Sequence, residues 1–414
     1  MIIFKVGSGV FTLADQATIS LLNVGVAALL IHFGDKTDYA VFALLFSSIL
    51  LIQGIQRSLV TVPYTTLVNQ SDLREIHKEK AAKLSVLISF FMSVLATFVF
   101  IATCWVGDIL FSYTTMLSFN IAVFGVLVRE SVRAINYADK SPRTAFKGSF
   151  LFASVTAILL FSYSLGYSID SAAVLFSFGF SGALASLPSL IKWSGSFSNF
   201  FDDCFSYFRE LFVAGRYALQ GAVLSWINNN SYNYIITIFF GTLAVADIAA
   251  SRLFWMPIGL LIAGWGSLFR PYASSWFVKQ DFHHTKRLIF LSSIAAVFIL
   301  LVYGYFIGLI FSGLKRLGYL NDYGVINDYL PLWGFVFLMS FERSILSAAL
   351  AVSSEGYKAL SRVSIIGLFC LCAFTPFLSG LESGYVLVYL GFVEFAQVLC
   401  CLYFLPKFLV DRSN

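Results

Sequence analysis

The chain has 414 residues, of which 59% are hydrophobic and only 12% are charged. An ordinary soluble domain carries about 25% charged residues, so this composition excludes water as the main solvent of the protein surface. The formal net charge of +5 comes from basic residues that lie between long apolar runs. We interpret them as topology signals and not as a basic patch, and we predict no nucleic-acid partner.

Long apolar runs recur from one end of the chain to the other. A run of about 18 residues crosses a hydrocarbon core of about 30 Å as an α-helix, which satisfies its own backbone hydrogen bonds. The sequence therefore predicts an all-α integral membrane protein with about twelve transmembrane helices. The predicted spans are 9–32, 39–66, 84–106, 109–129, 148–166, 171–192, 216–240, 244–269, 288–312, 329–352, 360–379 and 384–405.

The basic residues are concentrated in every second loop. By the positive-inside rule, the loops rich in Lys and Arg are cytoplasmic, and with an even number of spans both termini are cytoplasmic as well. The opposite loops hold only Lys36, Lys315 and Arg316. The predicted cytoplasmic loops hold Arg74, Lys78, Lys80, Lys83, Lys140, Arg143, Lys147, Lys192, Arg209, Lys279, Lys286, Arg287, Lys358 and Arg362.

An internal repeat predicts two lobes of six helices each. Phe33-Gly34 and Pro63-Tyr64 in spans one and two match Phe240-Gly241 and Pro271-Tyr272 in spans seven and eight, and Asn23 aligns with Asn230. The predicted lobes are 1–193 and 214–414, with the same orientation in the membrane.

The segment between the two predicted lobes, 194–213, carries Phe at helical spacing among charged residues. It is predicted to be an amphipathic helix on the cytoplasmic face. The alternative is a simple extension of span seven into the cytoplasm.

Motifs for bond-making chemistry are absent from the sequence. It has no G-x-x-x-x-G-K-[ST] loop for a nucleotide, no H-E-x-x-H zinc helix and no G-x-S-x-G nucleophile. Cys370 and Cys372 are too closely spaced for a C-x-x-C metal site. We therefore predict neither an enzyme, nor a cofactor, nor a metal.

Charged side chains inside the spans are the candidates for function, because an ionised group near the bilayer centre costs at least about 2.5 to 3.5 kcal/mol. Arg343 and Glu342 lie near the middle of span ten, and Glu394 is central in span twelve. Arg343 is predicted to pair with Glu394, either to lock helices together or to line a cavity. If Arg57, Arg252 and Arg343 converge on one cleft, three planar guanidiniums suit a diphosphate.

Other interpretations of these polar residues stay open. Arg57 could reach the cytoplasmic interface through its long stem, and Asp247 could pair with Arg252. Asp15, followed by Gln16 and Asn23 in span one, is a candidate proton or cation site. An ordinary interhelical hydrogen bond explains Asp15 equally well.

Several short segments of the chain carry a resemblance to a known family. They are Leu13-Ala14-Asp15-Gln16, Asn23, Phe33-Gly34, Leu127-Val128-Arg129-Glu130-Ser131-Val132-Arg133, Gly215-Arg216-Tyr217-Ala218, Leu224-Ser225-Trp226 and Ala250-Ser251-Arg252-Leu253. With these segments the sequence resembles bacterial polysaccharide flippases of the O-unit (Wzx) type, within the multidrug/oligosaccharidyl-lipid/polysaccharide (MOP) exporter superfamily. The resemblance covers the length, the number of spans and the six-plus-six layout.

The resemblance implies a MATE-like fold of two lobes with a cationic cavity, in a multi-pass protein of the bacterial inner membrane. It implies movement of an undecaprenyl-diphosphate-linked oligosaccharide, such as an O-antigen unit, to the periplasmic leaflet. It further implies coupling to a proton or sodium gradient, contact with membrane lipids, and a polysaccharide polymerase and chain-length regulator as partners. A peptidoglycan precursor is disfavoured as cargo, since lipid II flippases often have two further spans.

Three alternatives differ in their sequence requirements. A multidrug/cation antiporter of the related MATE branch favours acidic cavity residues, whereas the arginines here favour an anionic head group. A major facilitator would carry a G-x-x-x-D-R/K-x-G-R/K loop after span two, and 69–83 contains nothing similar. A membrane-embedded polymerase or glycosyltransferase needs a large outer loop, but the longest one here, about 313–328, is short.

Overall fold

The computed structural model describes residues 6–68, 74–110, 112–193, 200–262, 264–265, 282–317, 323–351, 354–378 and 380–410. These residues are almost entirely helical, and no strand occurs among them. The helices are α1 (Val6–Phe33), α2 (Lys36–Gln56), α3 (Val62–Val68), α4 (Arg74–Gly107), α5 (Tyr113–Ala138), α6 (Pro142–Ser164), α7 (Ser171–Trp193), α8 (Phe200–Asn230), α9 (Tyr232–Phe240), α10 (Thr242–Leu253), α11 (Met256–Ile262), α12 (Phe282–Arg316), α13 (Ile326–Leu350), α14 (Ser354–Phe374) and α15 (Gly384–Val410).

Every predicted span contains a helix or a helix pair among the described residues, and residues 111, 263, 266–269, 352 and 379 of the predicted spans lie outside them. Within the described residues, nine helices are long and apolar enough to cross a membrane, and a tenth span is formed if α10 and α11, bent by 56°, count together. The helices at predicted spans seven and eleven fall outside this count. Span seven is divided between α8 and α9 at Ser231, and α14 begins with charged residues at Glu355, Lys358 and Arg362.

The outer surface of α12 shows why a bilayer is needed. Large apolar side chains are exposed along the helix, among them Phe290, Phe298, Leu301 and Tyr305, each about two-thirds exposed or more. Soluble monomers rarely display contiguous apolar patches of this extent. This surface is compatible with hydrocarbon and not with water.

The chain forms two compact units, Met1–Trp226 and Ile227–Asn414. In the first unit, α5 and α7 approach closely because glycines face each other. A Cβ built on Gly125 would lie 1.8 Å from the Gly179 carbonyl oxygen, and one on Gly182 would lie 2.6 Å from the Gly125 carbonyl oxygen. Small residues allow such backbone contact between membrane helices.

Helix α2 does not pass directly into α3, because a π-helical segment, Arg57–Thr61, lies between them. Pro63 has no N–H and therefore cannot donate one of the regular helical hydrogen bonds here. Short π-helical segments of this kind are frequent at functional sites. Helix α8 packs against this segment: Ser58 Oγ donates to the Ala218 carbonyl at 3.2 Å. A Cβ on Gly215 would lie 2.5 Å from the Ser58 carbonyl oxygen, so glycine is required there.

Residues 200–213 of the predicted interlobe helix are part of a longer element, and 194–199 lie outside the described residues. Helix α8 runs without a break from Phe200 through the predicted start of span seven to Asn230, as the alternative of an extended span requires. Its buried face consists of Cys204, Tyr207 and Leu211, which join a core cluster with Trp193 of α7. Burial raises the pKa of the Tyr207 hydroxyl.

The repeated Phe-Gly pairs lie where the sequence placed them. Helix α1 ends at Phe33 and α9 ends at Phe240, and Gly241 adopts a φ of 82°, which glycine tolerates at a helix end. Pro271-Tyr272, the remaining part of the repeat, lies outside the described residues. The predicted end of span four at residue 129 is too early, since α5 continues to Ala138.

Candidate functional site

A buried polar network connects α1 and α5 in the first unit. Asp15 is fully buried, and its Oδ2 accepts hydrogen bonds from Arg133 Nε at 2.7 Å and from the Tyr137 hydroxyl at 2.6 Å. Arg133 Nη2 also lies 2.6 Å from this oxygen. The carboxylate predicted as a cation or proton site is therefore neutralised by an arginine of the same unit.

The network continues along α5 through two further charged residues. Glu130 accepts from Arg133 Nη1 at 3.2 Å and also pairs with Arg129. Arg129 is buried, and its guanidinium lies 3.9 Å from the ring centroid of Phe152. Glu130 thus contacts two guanidiniums, and the charges of Asp15 and Glu130 together match those of Arg129 and Arg133.

Arg133 and Tyr137 were not among the residues predicted to form the site. Both lie beyond residue 129, the predicted end of span four. The available signal was their spacing: Arg129, Arg133 and Tyr137 recur every four residues, which places them on one face of a helix.

A polar cavity of about 460 Å³ adjoins this network, lined by residues of α1, α2, the π-helical segment, α3 and α5. Arg57 lies at its wall with an exposed side chain, and no acidic residue pairs with it among those described. Arg133 and Glu130 reach the same cavity. The lining residues are Gln16, Gln53, Gln56, Arg57, Thr61, Val62, Thr65, Glu130, Ser131, Arg133, Ala134, Tyr137 and Ala138.

The predicted pair of Arg343 and Glu394 is confirmed in the second unit. Arg343 Nε on α13 donates to Glu394 Oε2 on α15 at 2.5 Å. Glu342 faces a different neighbour and accepts a hydrogen bond from Ser293 Oγ of α12 at 2.6 Å. Adjacent helical residues point about 100° apart, so Glu342 and Arg343 contact different partners, as expected.

Arg252 in α10 is held by aromatic residues. Its Nη1 donates to the Tyr232 hydroxyl at 2.7 Å, and its guanidinium lies 5.5 Å from the ring centroids of both Tyr232 and Trp333. The suggested pairing with Asp247 is not present. Asp247 precedes Arg252 by five residues, which is about 140° around an α-helix, so the two side chains diverge.

Two of the predicted residues in the second unit come together. Arg252 and Glu394 line one small cavity of about 50 Å³, together with Asn228, Tyr232 and Trp333. Asn23 on α1 is half-buried and does not line the cavity that contains Arg57. The three predicted arginines are therefore divided between the units, with Arg57 in the first and Arg252 and Arg343 in the second.

Comparison with known proteins gives matches by structure alone. A scan against protein-family models gave no match, and a search of the curated proteins gave none. An inward-facing multidrug resistance MATE family transporter of the MOP superfamily matches with a TM-score of 0.76 and 13% sequence identity, over 97% of this chain and 100% of that one.

Two further solved structures extend the comparison. The lipid II flippase MurJ, in an inward closed conformation, matches with a TM-score of 0.69 and 14% identity, over 97% of this chain and 89% of that one. A eukaryotic MATE transporter matches with a TM-score of 0.65 and 14% identity, over 96% and 94% of the two chains. The predicted fold class is confirmed: this chain is a multi-pass membrane protein with the fold of the MOP superfamily transporters.

Proposed function

We propose that the protein is a flippase for an undecaprenyl-diphosphate-linked oligosaccharide, an O-antigen or other surface polysaccharide unit. It carries this cargo from the cytoplasmic to the periplasmic leaflet of the bacterial inner membrane by alternating access. The observation that carries the proposal is Arg57, a permanently charged side chain at the wall of a polar cavity without an acidic partner among the described residues. An unpaired guanidinium inside a membrane protein favours an anionic ligand, and a diphosphate matches its planar donors.

Arg252 and Arg343 are proposed as further ligands of the cargo. The Nη1 of Arg252 is held by the Tyr232 hydroxyl, which leaves Nη2 and Nε for an acceptor. Arg343 uses Nε for Glu394, so both terminal nitrogens are available. The convergence of these arginines with Arg57 on one diphosphate stays a prediction.

Coupling to a cation gradient is proposed to act through Asp15. Its Oδ2 is held by Arg133 and Tyr137, whereas its Oδ1 has no hydrogen-bond partner, so a proton or sodium ion would bind at Oδ1 and weaken the attraction of the carboxylate for Arg133. Arg133 lines the cavity that contains Arg57 and would stay paired with Glu130, so neutralisation of Asp15 would raise the net positive charge beside that cavity. Asn23, Glu342 and Glu394 are proposed as polar positions along the ion or cargo pathway, and the polymerase and chain-length regulator as the machinery that receives the cargo.

The second candidate is a multidrug/cation antiporter, favoured by the match to MATE transporters over nearly the whole chain. Such an antiporter needs an acidic group that is free to meet a cationic drug. In the first unit, both Asp15 and Glu130 are already paired with arginines. The charges at this cavity therefore favour the anionic cargo.

Reconstitution into vesicles tests the proposal. We expect purified protein to move the saccharide head group of a fluorescent undecaprenyl-diphosphate-linked oligosaccharide across the bilayer. Hydrogen bonds to charged groups contribute about 1.5–3 kcal/mol, so Arg57→Ala should slow this movement by roughly tenfold or more. Arg362→Ala, which removes an exposed arginine of α14, is the matched control.

Two results would contradict the proposal. Transport of a cationic dye such as ethidium, with no movement of the lipid, would establish the antiporter instead. Formation of polymer or of a new glycosidic bond by the purified protein would make it an enzyme.

A further inference from the structure

The cavity around Arg57 is lined by neutral polar side chains that make no hydrogen bond to other described residues of the protein. Gln16 of α1, Gln53 of α2 and Ser131 of α5 all line it. Ser131 is only 1% exposed, and its Oγ has no hydrogen-bond partner. Among the described residues, no partner is found for the Gln16 and Gln53 amides either. The exposed Gln16 and the half-buried Gln53 thus present unpaired amides to this space, and the unpaired Ser131 hydroxyl lies buried within its wall.

Other polar residues of the cavity are already committed to the fold. Gln56 Nε2 donates to Ser89 Oγ at 2.9 Å, and Thr61 Oγ1 donates to the carbonyl of Arg57 at 3.0 Å. This contrast identifies Gln16, Gln53 and Ser131 as the groups without a structural role in hydrogen bonding. A buried hydroxyl without a partner is costly unless a ligand or water satisfies it.

The chemistry of the three side chains matches a sugar ring. Each amide offers an oxygen acceptor and two N–H donors, and a hydroxyl both donates and accepts. Adjacent hydroxyls of a pyranose present the same mixture of donors and acceptors. The cavity volume of about 460 Å³ falls within the range of roughly 300–1,000 Å³ typical of small-molecule sites.

Gln53, whose amide suits a sugar, lies one helical turn from Arg57, whose guanidinium suits a phosphate. They lie four residues apart, and the Arg57 N–H donates to the Gln53 carbonyl, so the chain is still helical between them. Side chains at this spacing are neighbours, with Cβ atoms about 5–6 Å apart. A guanidinium one turn from an amide suits a ligand in which a sugar is joined directly to a phosphate.

We propose that Gln16, Gln53 and Ser131 form a subsite for the sugar ring attached to the diphosphate, beside the anion site at Arg57. This inference rests on the proposed flippase function and names the part of the cargo that the first unit recognises. It assigns the neutral wall of the cavity to the saccharide and the charged wall to the phosphate. It also separates cargo discrimination from charge recognition, since different residues perform them.

Equilibrium binding to the purified full-length protein in detergent tests the subsite. The probes are undecaprenyl diphosphate and the same lipid carrying one glucose, galactose or N-acetylglucosamine. At least one glycosylated lipid should bind about tenfold tighter than the bare lipid. Gln53→Leu and Gln16→Leu should each reduce this preference to about threefold or less while leaving the affinity for the bare lipid unchanged.

One control variant and one further variant of the subsite complete the experiment. Gln220→Leu removes an exposed amide of α8 that does not line the cavity and should keep the full preference. Ser131→Ala should weaken the preference without lowering the unfolding temperature, because its hydroxyl has no protein partner to lose. A fall in unfolding temperature would assign Ser131 a structural role and overturn its part in the subsite.

The possible failures are distinguishable. If the wild type binds no lipid diphosphate, both the flippase proposal and the subsite are overturned. If it binds all four lipids equally, or if the Gln variants keep the wild-type preference, the subsite alone is overturned. Reduced binding of the bare lipid by Arg57→Ala, with the sugar preference intact, would support both assignments.

Discussion

Asp15 of α1 and Arg133 of α5 form a buried ion pair in the first unit, with Oδ2 at 2.6 Å from Nη2 and 2.7 Å from Nε. The two residues are 118 positions apart in the chain, so the pair fixes the first helix against the fourth predicted span. Tyr137 donates to the same oxygen. Because Asp15 has no exposure, loss of Arg133 would leave its charge uncompensated.

We therefore expect Arg133→Met to destabilise the protein strongly. Removal of one partner from a buried ion pair costs on the order of 3–5 kcal/mol, because the remaining charge stays desolvated. Thermal unfolding in detergent should show a clear fall in the midpoint for Arg133→Met. The double variant Arg133→Met/Asp15→Asn should show a smaller total fall relative to the wild type. Arg362→Met is the matched exposed control. An additive double variant would show that the two residues do not interact energetically.

Asp15→Asn is also expected to change how transport depends on the ion gradient. The amide keeps the shape of the side chain but neither carries the charge nor binds a proton near neutral pH, so a coupling ion loses its site. Flux in vesicles should respond less to an imposed proton or sodium gradient than in the wild type. Measurement with each gradient separately identifies the ion. An unchanged gradient dependence would exclude Asp15 from coupling.

The helical architecture could be predicted from sequence because lipid enforces it. Every predicted span has a helix, since a long apolar run in a bilayer has few other ways to satisfy its backbone. The pairing of Arg343 with Glu394 was predictable for the same reason, because an isolated charge is too costly near the bilayer centre.

The residues around Asp15 show where that reasoning failed. Charged residues mark the ends of the predicted spans, so span four is predicted to end at Arg129 and to leave out Arg133 and Tyr137, although α5 continues to Ala138. Where the charges of a helix are neutralised by a partner helix, its sequence is not apolar, so apolar runs alone do not identify that part of the helix. The aromatic partners of Arg252 were missed because neutral aromatic residues carry no signal of pairing.

Exchange of the charges at Arg343 and Glu394 separates a structural pair from a ligand of the cargo. Arg343→Glu or Glu394→Arg alone places two like charges together and should lower the unfolding midpoint and the yield. The double exchange restores opposite charges at the same two positions and should recover much of the stability. If Arg343 also binds the diphosphate, surface glycan export should stay lost. Recovered export would limit Arg343 to a structural role.

The contact between α5 and α7 predicts strict size limits at its glycines. A Cβ on Gly125 or Gly179 would overlap the facing backbone at 1.8 Å and 2.3 Å, and backbone cannot move aside as a flexible side chain does. Gly125→Val should therefore separate the helices and lower the free energy of unfolding by about 1–3 kcal/mol or more, as overpacking does. Gly221→Ala is the control, since nothing lies within 4 Å of its built Cβ. Equal yields and unfolding midpoints for the two variants would show that this close approach is not required for folding.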